Sequence, residues 1–345
     1  MNYTIDFFDI DHFELLEEDW KRLEKGGEMT VFQSYEWNKM LVNRCLLPDN
    51  RYYETRFFVI KKDGISVLIA PFWVIKRNFR LVNKRGIYFV GRQGWSDYLN
   101  CIYDIFDNDA FLFLLNEVSN YYHIYTFVFE ELAESTSVSS CLIKKCGGEI
   151  VKEDVCVSLE LPLSVEEYWS ILSKNAKQNI RTANNRIKKD NYDVLFCLED
   201  QLVNKNRCAL IRENKLQMQY QKISAIRKQW YRLKNKLRFH FNTCFPLFDY
   251  QDSKVMTAYI NSDLCAFFNY VIDDKHNSIV ILTAGTNLDY ARYSPGILLM
   301  YNFIREMIED NKRYCLDFTR GEEHYKYSLG GTSHKNVTIE LTMLI

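Results

Sequence analysis

The stretch that decides the fold lies near the C-terminus and reads Tyr290-Ala-Arg-Tyr-Ser-Pro-Gly-Ile-Leu-Leu-Met-Tyr-Asn-Phe-Ile-Arg305. A strand and a polar loop follow it and read Leu316-Asp-Phe-Thr-Arg-Gly-Glu-Glu-His-Tyr-Lys-Tyr-Ser-Leu-Gly-Gly331. The Pro-Gly turn predicts the start of an apolar helix, because proline suits a first helical turn. A helix N-terminus presents free N–H groups and positive partial charge, so this position suits a phosphate. The polar loop can supply groups that transfer protons, and the two stretches together predict a phosphate-bearing donor beside a reaction site.

The composition predicts a compact globular chain. Its 345 residues are enough for two domains, and a hydrophobic fraction of 47% is ample for two cores. The net charge of −1 argues against a general affinity for nucleic acid or membranes. No apolar run approaches the length of a membrane span, and the N-terminus lacks a signal-peptide pattern. We therefore expect a cytoplasmic protein without a membrane span.

The ten cysteines are scattered, and none forms a Cys-x-x-Cys motif. Several lie in apolar runs, such as Cys156, Cys265 and Cys315, where a free cysteine behaves as a small buried hydrophobe. This pattern favours a reducing compartment and no structural zinc or other metal. No cysteine lies in a recognisable nucleophile setting.

The sequence contains the same order of elements twice. In the first copy, β-rich runs at 52–60 and 65–75 flank an Asp-Gly turn, followed by a strand at 86–90, a helix at 107–120 and a strand at 124–130. In the second copy, strands at 254–260 and 264–272 precede a strand at 278–284, the Pro-Gly helix to residue 309, and a strand at 313–318. The repeat predicts an α/β (α+β) fold with two domains, 1–161 and 162–345.

Two segments are rich in basic residues. A helix predicted at 173–189 has an apolar stripe and a basic stripe that includes Lys177 and Arg181, which could bind a nucleotide diphosphate. Residues 205–238 hold eleven basic residues and one acid, Glu213. A charged helix face is usually just solvated, but the second segment is the best argument in the chain for nucleic-acid binding.

Several motifs, in this order, resemble the GNAT superfamily of N-acyltransferases, in its double-domain CelD-like and Fem-like branch. The motifs are Phe32-Gln-Ser-Tyr-Glu-Trp37, Gly94-Trp-Ser-Asp-Tyr98, the helix from Lys174 to Arg186, Tyr293-Ser-Pro-Gly296, and Asp317-Phe-Thr-Arg-Gly321 with Tyr325-Lys326. The resemblance implies two tandem GNAT-like domains, each a mixed, mainly antiparallel sheet flanked by helices, with a substrate cleft between them. It implies that 1–161 binds the acceptor and that 162–345 binds the donor.

In the CelD-like branch the implied donor is an acyl-CoA, here acetyl-CoA or another short-chain thioester. The usual GNAT pyrophosphate loop is Arg/Gln-x-x-Gly-x-Gly/Ala, whereas Arg292-Tyr-Ser-Pro-Gly296 has one glycine at a shifted spacing. The exact donor contacts therefore stay open, although backbone N–H groups from Ser294 to Ile297 could hold a phosphate. The residues expected to contact the donor are Ala284, Gly285, Arg292, Tyr293, Ser294, Gly296 and Ile297.

The expected acceptor is an amino sugar, possibly nucleotide-linked, for surface polysaccharide biosynthesis, since sugar N-acyltransferases occur in this superfamily. N-acylation needs a neutral amine, so a base is required, and Asp97 competes with His324 for that role. Tyr325 could protonate the departing thiolate. The residues expected to bind the substrate are Trp95, Tyr98, Lys177, Arg181, Arg320, Glu322 and Lys326. For any one of these residues, an ordinary turn or solvated loop remains the simpler interpretation.

Two alternative functions stay open at this point. One is a Fem-type transferase that uses aminoacyl-tRNA, although no heptad arm of the kind found in Fem relatives is evident. The other is a nucleic-acid-binding protein that uses residues 205–238 on a catalytically inactive scaffold. Salt-sensitive RNA binding without CoA binding would favour these alternatives.

Overall fold

A computed structural model describes residues 2–46, 48–78, 84–91, 95–199, 207–208, 211, 250–312 and 314–343. The chain divides into two compact units. The first contains Met1–Val155 and Lys335–Ile345, and the second contains Cys156–His334. Each unit has a mixed, mainly antiparallel sheet with helices packed against it, as the sequence predicts.

In the first unit the sheet order is β1-β2-β3-β4-β5-β12, and only the β4–β5 pair is parallel. The strands are β1 (Tyr3–Phe8), β2 (Tyr53–Lys62), β3 (Ile65–Ile75), β4 (Gly86–Phe89), β5 (Thr126–Ala133) and β12 (Thr332–Thr342). The helices are α1 (Glu17–Leu23), α2 (Tyr35–Arg44), α3 (Asn108–Tyr122) and α4 (Ser137–Lys144), with 3-10 turns at Ile10–Leu16 and Val31–Gln33.

In the second unit the order is β7-β8-β9-β10-β11-β6, and only the β10–β11 pair is parallel. The strands are β6 (Glu149–Glu160), β7 (Val194–Glu199), β8 (Lys254–Ile260), β9 (Asp263–Asp273), β10 (Ser278–Thr286) and β11 (Cys315–Arg320). The helices are α5 (Val165–Ile171), α6 (Lys174–Lys189), α7 (Pro295–Glu309) and α8 (His324–Ser328), with 3-10 turns at Asp274–His276 and Leu288–Tyr293.

The predicted repeat is confirmed, because both units contain a hairpin, a strand, a helix and a parallel strand in the same order. The strand that follows each repeat in sequence pairs with the sheet of the other repeat. β6 follows the first repeat, yet its residues 156–160 pair with β11, and β12 follows the second repeat, yet its residues 336–342 pair with β5. The compact units therefore differ from the predicted domains: the division falls six residues before 162, and residues 335–345 join the first unit.

Local sequence explains the hairpins and helices that carry this repeat. The β2–β3 turn places Asp63 and Gly64 at φ values of 49° and 86°, and the β8–β9 turn places Asn261 and Ser262 at 49° and 70°. Two consecutive residues with positive φ match the twist of paired strands. In α6 the predicted apolar stripe is buried, and it consists of Ala176, Ile180, Ala183 and Ile187. Among the helices of the described residues, none is long and apolar enough to cross a membrane.

Candidate active site

Helix α7 begins where the sequence predicts a phosphate site. Ser294 precedes it in the left-handed conformation, with a φ of 46°, and Pro295 is its first residue. The N–H of Ser294 donates to the carbonyl of Ala291 at 3.0 Å, and that of Ile297 donates to the carbonyl of Ser294 at 3.0 Å. Because proline has no N–H, the predicted cradle of several amides is reduced to the N–H of Gly296.

Gly296 lies against the end of β10. A Cβ atom at this position would come within 2.5 Å of the hydroxyl oxygen of Thr286, so glycine allows the close approach of helix and strand. Gly285, also predicted to contact the donor, has a packing explanation. A Cβ atom there would lie 2.5 Å from the ring of Phe267 and 3.0 Å from Ile211.

Strands β10 and β11 separate after three residue pairs. Their parallel pairing runs from Ser278 with Cys315 to Val280 with Asp317. Within the described part of the chain, β10 then continues to Thr286 with β9 as its only strand partner. Ala284, which the sequence analysis assigns to the donor, lies on this continuation. Beyond Val280, the described residues thus provide no strand partner on the side of β10 that faces away from β9.

Arg292 and Tyr293 are tied to the end of α6. The guanidinium of Arg292 and the hydroxyl of Tyr293 both donate to Oδ2 of Asp190, at 2.8 and 2.6 Å. Arg186 donates to the carbonyl of Arg292 at 2.6 Å. The hydrogen bond to Asp190, together with burial, raises the pKa of Tyr293 to about 12. Tyr293 is thus an anchor of the loop, whereas Arg292, with 58% of its side chain exposed, retains N–H groups for a phosphate.

A pocket of about 410 Å³ is formed by residues of α6, α7 and α8. It brings together Ile297, His324 and Tyr325, which the sequence predicts for the donor or the chemistry. Its lining residues are Asn175, Ala176, Gln178, Asn179, Ile297, His324, Tyr325 and Ser328. The described lining thus offers amide, hydroxyl and imidazole groups and contains neither a carboxylate nor an ammonium group.

His324 and Tyr325 are the first residues of α8. Nδ1 of the exposed His324 lies 3.0 Å from the hydroxyl of Ser328. Burial, reinforced by the charge of Glu323, raises the pKa of Tyr325. A thiol ordinarily has a pKa of about 8.5, so a raised pKa favours Tyr325 as a hydrogen-bond donor over Tyr325 as an acid, and its predicted role stays a prediction. Glu322 is exposed and does not line the pocket.

Lys326, predicted to bind substrate, is an internal clamp instead. Only 2% of the residue is exposed. Its ammonium donates to the carbonyls of Thr319, Arg320 and Gly321 at 3.2, 2.7 and 3.0 Å, and it lies 3.0 Å from the carboxylate of Glu323. An ammonium has three N–H groups, so none remains for a ligand. Lys326 is therefore excluded from the candidate site, while the half-buried side chain of Arg320 stays a prediction.

The two basic residues of α6 that the sequence singles out contact α5. The ammonium of Lys177 donates to the carbonyl of Ser170 at 3.0 Å. The guanidinium of Arg181 lies 5.4 Å from the ring centre of Trp169, which is a cation–π contact. Neither residue lines the pocket. A structural role for both is sufficient, and a nucleotide diphosphate site at these residues stays a prediction.

In the first unit, two motifs that are distant in sequence pack together. The hydroxyl of Ser96 accepts from the indole of Trp37 at 2.9 Å, and the carbonyl of Tyr98 accepts from the side chain of Gln33 at 2.8 Å. These bonds hold residues 96–98 in place, and Tyr98 has a φ of 53°. Asp97 and Trp95, both half-buried, lie in the same loop, and their predicted catalytic and sugar-binding roles stay predictions.

Among its described residues, the first unit shows neither an uncapped helix N-terminus at the counterpart of α7 nor a long extension of β4. Helix α3, the counterpart of α7, is capped by Asp107, whose carboxylate accepts from the N–H groups of Asp109 and Ala110 at 3.0 and 3.2 Å. A carboxylate at the helix N-terminus disfavours a phosphate there. Strand β4 is only four residues long, and the N–H of Leu99 donates to the carbonyl of Glu131 at 2.8 Å.

Five pocket residues, Asn175, Ala176, Gln178, Asn179 and Ser328, were not predicted as site residues from the sequence. Asn175, Gln178 and Asn179 follow an i, i+3, i+4 spacing that places them on one face of α6, and this pattern could have identified them. The predicted basic segment 205–238 lies outside the described residues, apart from residues 207, 208 and 211. In the described ranges, no group of three or more potential metal ligands is present.

Comparisons with known proteins identify a family match in the second unit and a shared fold. The sequence of residues 174–327 matches the family model of an acetyltransferase (GNAT) domain, whereas the chain matches none of the curated proteins. The span matched by the family model begins at α6 and ends within α8, and it contains every residue of the pocket lining except Ser328.

Three solved structures share the fold over nearly the whole chain. FemX is 8% identical, with 99% of this chain and 98% of that chain covered and a TM-score of 0.58. A conserved protein of unknown function from Bacteroides thetaiotaomicron VPI-5482 is 11% identical, with coverages of 99% and 100% and a TM-score of 0.56. A tandem GNAT protein from the clavulanic acid biosynthesis pathway is 6% identical, with coverages of 99% and 98% and a TM-score of 0.54. The resemblance to GNAT proteins is confirmed, because residues 174–327 match the family model of a GNAT acetyltransferase domain and the fold is shared with FemX and with a tandem GNAT protein.

Proposed function

We propose that this protein is an acyl-CoA-dependent N-acyltransferase. Its proposed acceptor is an amino sugar, free or nucleotide-linked, that is destined for a surface polysaccharide. The observation that carries the proposal is the pocket of the GNAT domain, which joins His324 and Tyr325 to Ile297 in the first turn of α7. Proton-transferring groups thus lie beside the helix N-terminus that suits a phosphate-bearing donor.

The donor is assigned to the second unit. The close contact between Gly296 and Thr286 leaves the Gly296 N–H beside the end of β10, and Arg292 adds positive charge nearby along the chain. From there, a donor arm can lie along the part of β10 that has lost β11 as a partner. Acyl-CoA bound in this way would supply the acyl group from its thioester. In the first unit, the Asp107 cap opposes a second donor site.

The lining of the pocket favours a neutral polar acceptor. Asn175, Gln178 and Asn179 each present both a donor and an acceptor, which suits the hydroxyl groups of a sugar. A volume of about 410 Å³ is within the range of small-molecule pockets. The described lining contains no ammonium group, so the diphosphate of a nucleotide-linked sugar would lie outside it, and a strongly cationic acceptor would find no carboxylate.

The chemistry that we assign is direct transfer. The amine nitrogen of the acceptor attacks the thioester carbonyl carbon, and His324 accepts the proton that the nitrogen loses. Backbone N–H groups of β10 around Gly285 hold the carbonyl oxygen as its negative charge develops. Tyr325 donates a hydrogen bond to the sulfur as the carbon–sulfur bond breaks. No acyl-enzyme forms along this route.

Native mass spectrometry of protein purified without added ligand tests the donor. An adduct with the mass of CoA or an acyl-CoA is the expected result. Acetyl transfer is then measured with a panel of amino sugars, and the matching N-acetylated sugars serve as controls because they have no free amine. Absence of CoA binding, both in the purified protein and after addition of CoA, would contradict the proposal.

The fold shared with FemX supports a second candidate, a Fem-type transferase with an aminoacyl-tRNA donor. The two candidates differ in their response to donor and salt. A tRNA-dependent enzyme would bind aminoacyl-tRNA with an affinity that falls steeply as the salt concentration rises, and it would not bind CoA. We expect the opposite result, in which CoA binds and added tRNA does not displace it.

A further inference from the structure

Strands β10 and β11 stop pairing just before Ile281 and Thr319. The last parallel pair is Val280 with Asp317, and both strands continue beyond it. Buried backbone N–H and C=O groups that no longer pair with a neighbouring strand need other hydrogen-bond partners. The carbonyl of Ile281 and the N–H of Thr319 find such partners in side chains.

Asp317 and Thr319 each supply one of these partners. The N–H of Thr319 donates to the carboxylate of Asp317 at 2.7 Å, and its hydroxyl donates to the carbonyl of Ile281 at 3.2 Å. All three groups are buried. A side-chain hydroxyl thus replaces a backbone N–H as the donor to Ile281. The bond to Ile281 comes from the side chain of Thr319 and not from its backbone. The backbones of β10 and β11 can therefore lie farther apart here than two paired strands do.

The backbone of Thr319 is unusual in a way that fits this role. Its φ is 56°, which is the left-handed region and is rare for a β-branched residue. The residue is the second of a two-residue bulge, since β11 advances from Asp317 to Arg320 while β6 advances only from Ser158 to Cys156. Lys326 then fixes the end of β11 through the carbonyls of residues 319–321. The separated end of β11 is therefore held in one place.

We propose that Thr319 is a positioning residue for the donor. Its hydroxyl, bonded to the carbonyl of Ile281, sets where β10 and β11 part, and the opening accommodates the arm of CoA that ends in the thioester. Thr286, beside Gly296, is five residues from Ile281 along β10, which is about 17 Å of strand. A donor whose phosphates lie at Gly296 would thus place its arm along this strand. The inference rests on the proposed use of CoA as the donor.

The test compares two ligands with calorimetry. CoA carries the arm, and 3′-phosphoadenosine 5′-diphosphate is the same nucleotide without it. Thr319→Val removes the hydroxyl and keeps the β-branched shape, whereas Thr319→Ser keeps the hydroxyl. We expect Thr319→Val to weaken CoA binding about five- to tenfold, the value of one hydrogen bond, and to leave nucleotide binding unchanged. Thr319→Ser should bind both ligands like the wild-type protein.

Thr319→Asn provides a second route if Thr319→Val does not fold, because asparagine tolerates the left-handed conformation. It also removes the hydroxyl, so the same selective loss of CoA affinity is expected. Wild-type affinity for CoA in a folded variant without the hydroxyl would overturn the inference. An equal loss for both ligands would also overturn it, since that result indicates a general structural effect. A wild-type protein that binds neither ligand would instead overturn the proposed function.

Discussion

Glu131 and Thr319 hold the same position in the two repeats, and both have left-handed backbones, with φ values of 59° and 56°. Each is the second residue of a bulge, in β5 opposite β12 and in β11 opposite β6. The carbonyl of Glu131 accepts from the N–H of Leu99 at 2.8 Å, whereas the hydroxyl of Thr319 donates to Ile281. In the first unit, a loop residue thus bonds to the bulge of β5. In the second unit, the bulge of β11 bonds through a side chain to β10, beyond the last parallel pair of these strands.

Substitutions at Gly296 should separate a steric effect from a phosphate effect. Any side chain there meets the hydroxyl of Thr286, so we place the changes in a Thr286→Ala background, which removes that contact. In this background we expect Gly296→Asp to abolish measurable CoA binding, because a carboxylate repels phosphate at the helix N-terminus. Gly296→Ala should still bind CoA. Calorimetry checks both variants, and equal CoA affinities for Asp and Ala would remove Gly296 from the donor site.

Lys326 should matter for stability. In Lys326→Met, three backbone carbonyls lose their buried donor, and we expect the free energy of unfolding to fall by about 2–3 kcal/mol. Lys177→Met is the matched control, because the Lys177 ammonium donates to a single carbonyl at an exposed site, and we expect a loss below about 0.5 kcal/mol. Urea unfolding measures both. Similar losses in the two variants would contradict the clamp.

Stability should also depend on His334. Burial lowers the pKa of this imidazole, whose Nδ1 lies 3.5 Å from the hydroxyl of Ser158. Between the unfolded pKa of about 6.5 and the lower folded value, the unfolded chain binds more protons than the folded one. Stability therefore falls as the pH is lowered through about 6.5. We expect His334→Gln to flatten this part of the pH profile of Tm, and a profile as steep as that of the wild type would contradict this origin.

The cysteines should play no covalent part. Burial raises the pKa of Cys265 to about 11 and that of Cys315 to about 12, which disfavours a thiolate in the second unit. In the first unit a hydrogen bond with Cys146 lowers the pKa of Cys141, but Cys141 is buried. After mixing with acyl-CoA alone, we expect no acylated protein by mass spectrometry and no ping-pong kinetics. An acyl group mapped to a cysteine peptide would refute direct transfer.

Local patterns in the sequence were enough for the repeat, the Pro-Gly helix and the buried stripe of α6, because each depends on short-range geometry. The exchange of β6 and β12 could not be predicted, since strand pairing across more than a hundred residues leaves no mark in either strand. Lys326 shows a second limit. A lysine in a polar loop is indistinguishable by sequence from a ligand-binding lysine, and only the three carbonyls around its ammonium reveal its role.

The last prediction concerns the base. Asp97 and His324 can each accept a proton, but only His324 lies in the pocket of the GNAT domain. We expect His324→Gln to lower kcat by about 100-fold or more while the Kd for acyl-CoA stays unchanged, because the interaction matters in the transition state. Ser328→Ala removes the partner of Nδ1 and should lower kcat much less, since the imidazole remains. Asp97→Asn, in the first unit, is compared under the same conditions. Near-normal turnover of His324→Gln, together with a large loss in Asp97→Asn, would transfer the role of base to Asp97.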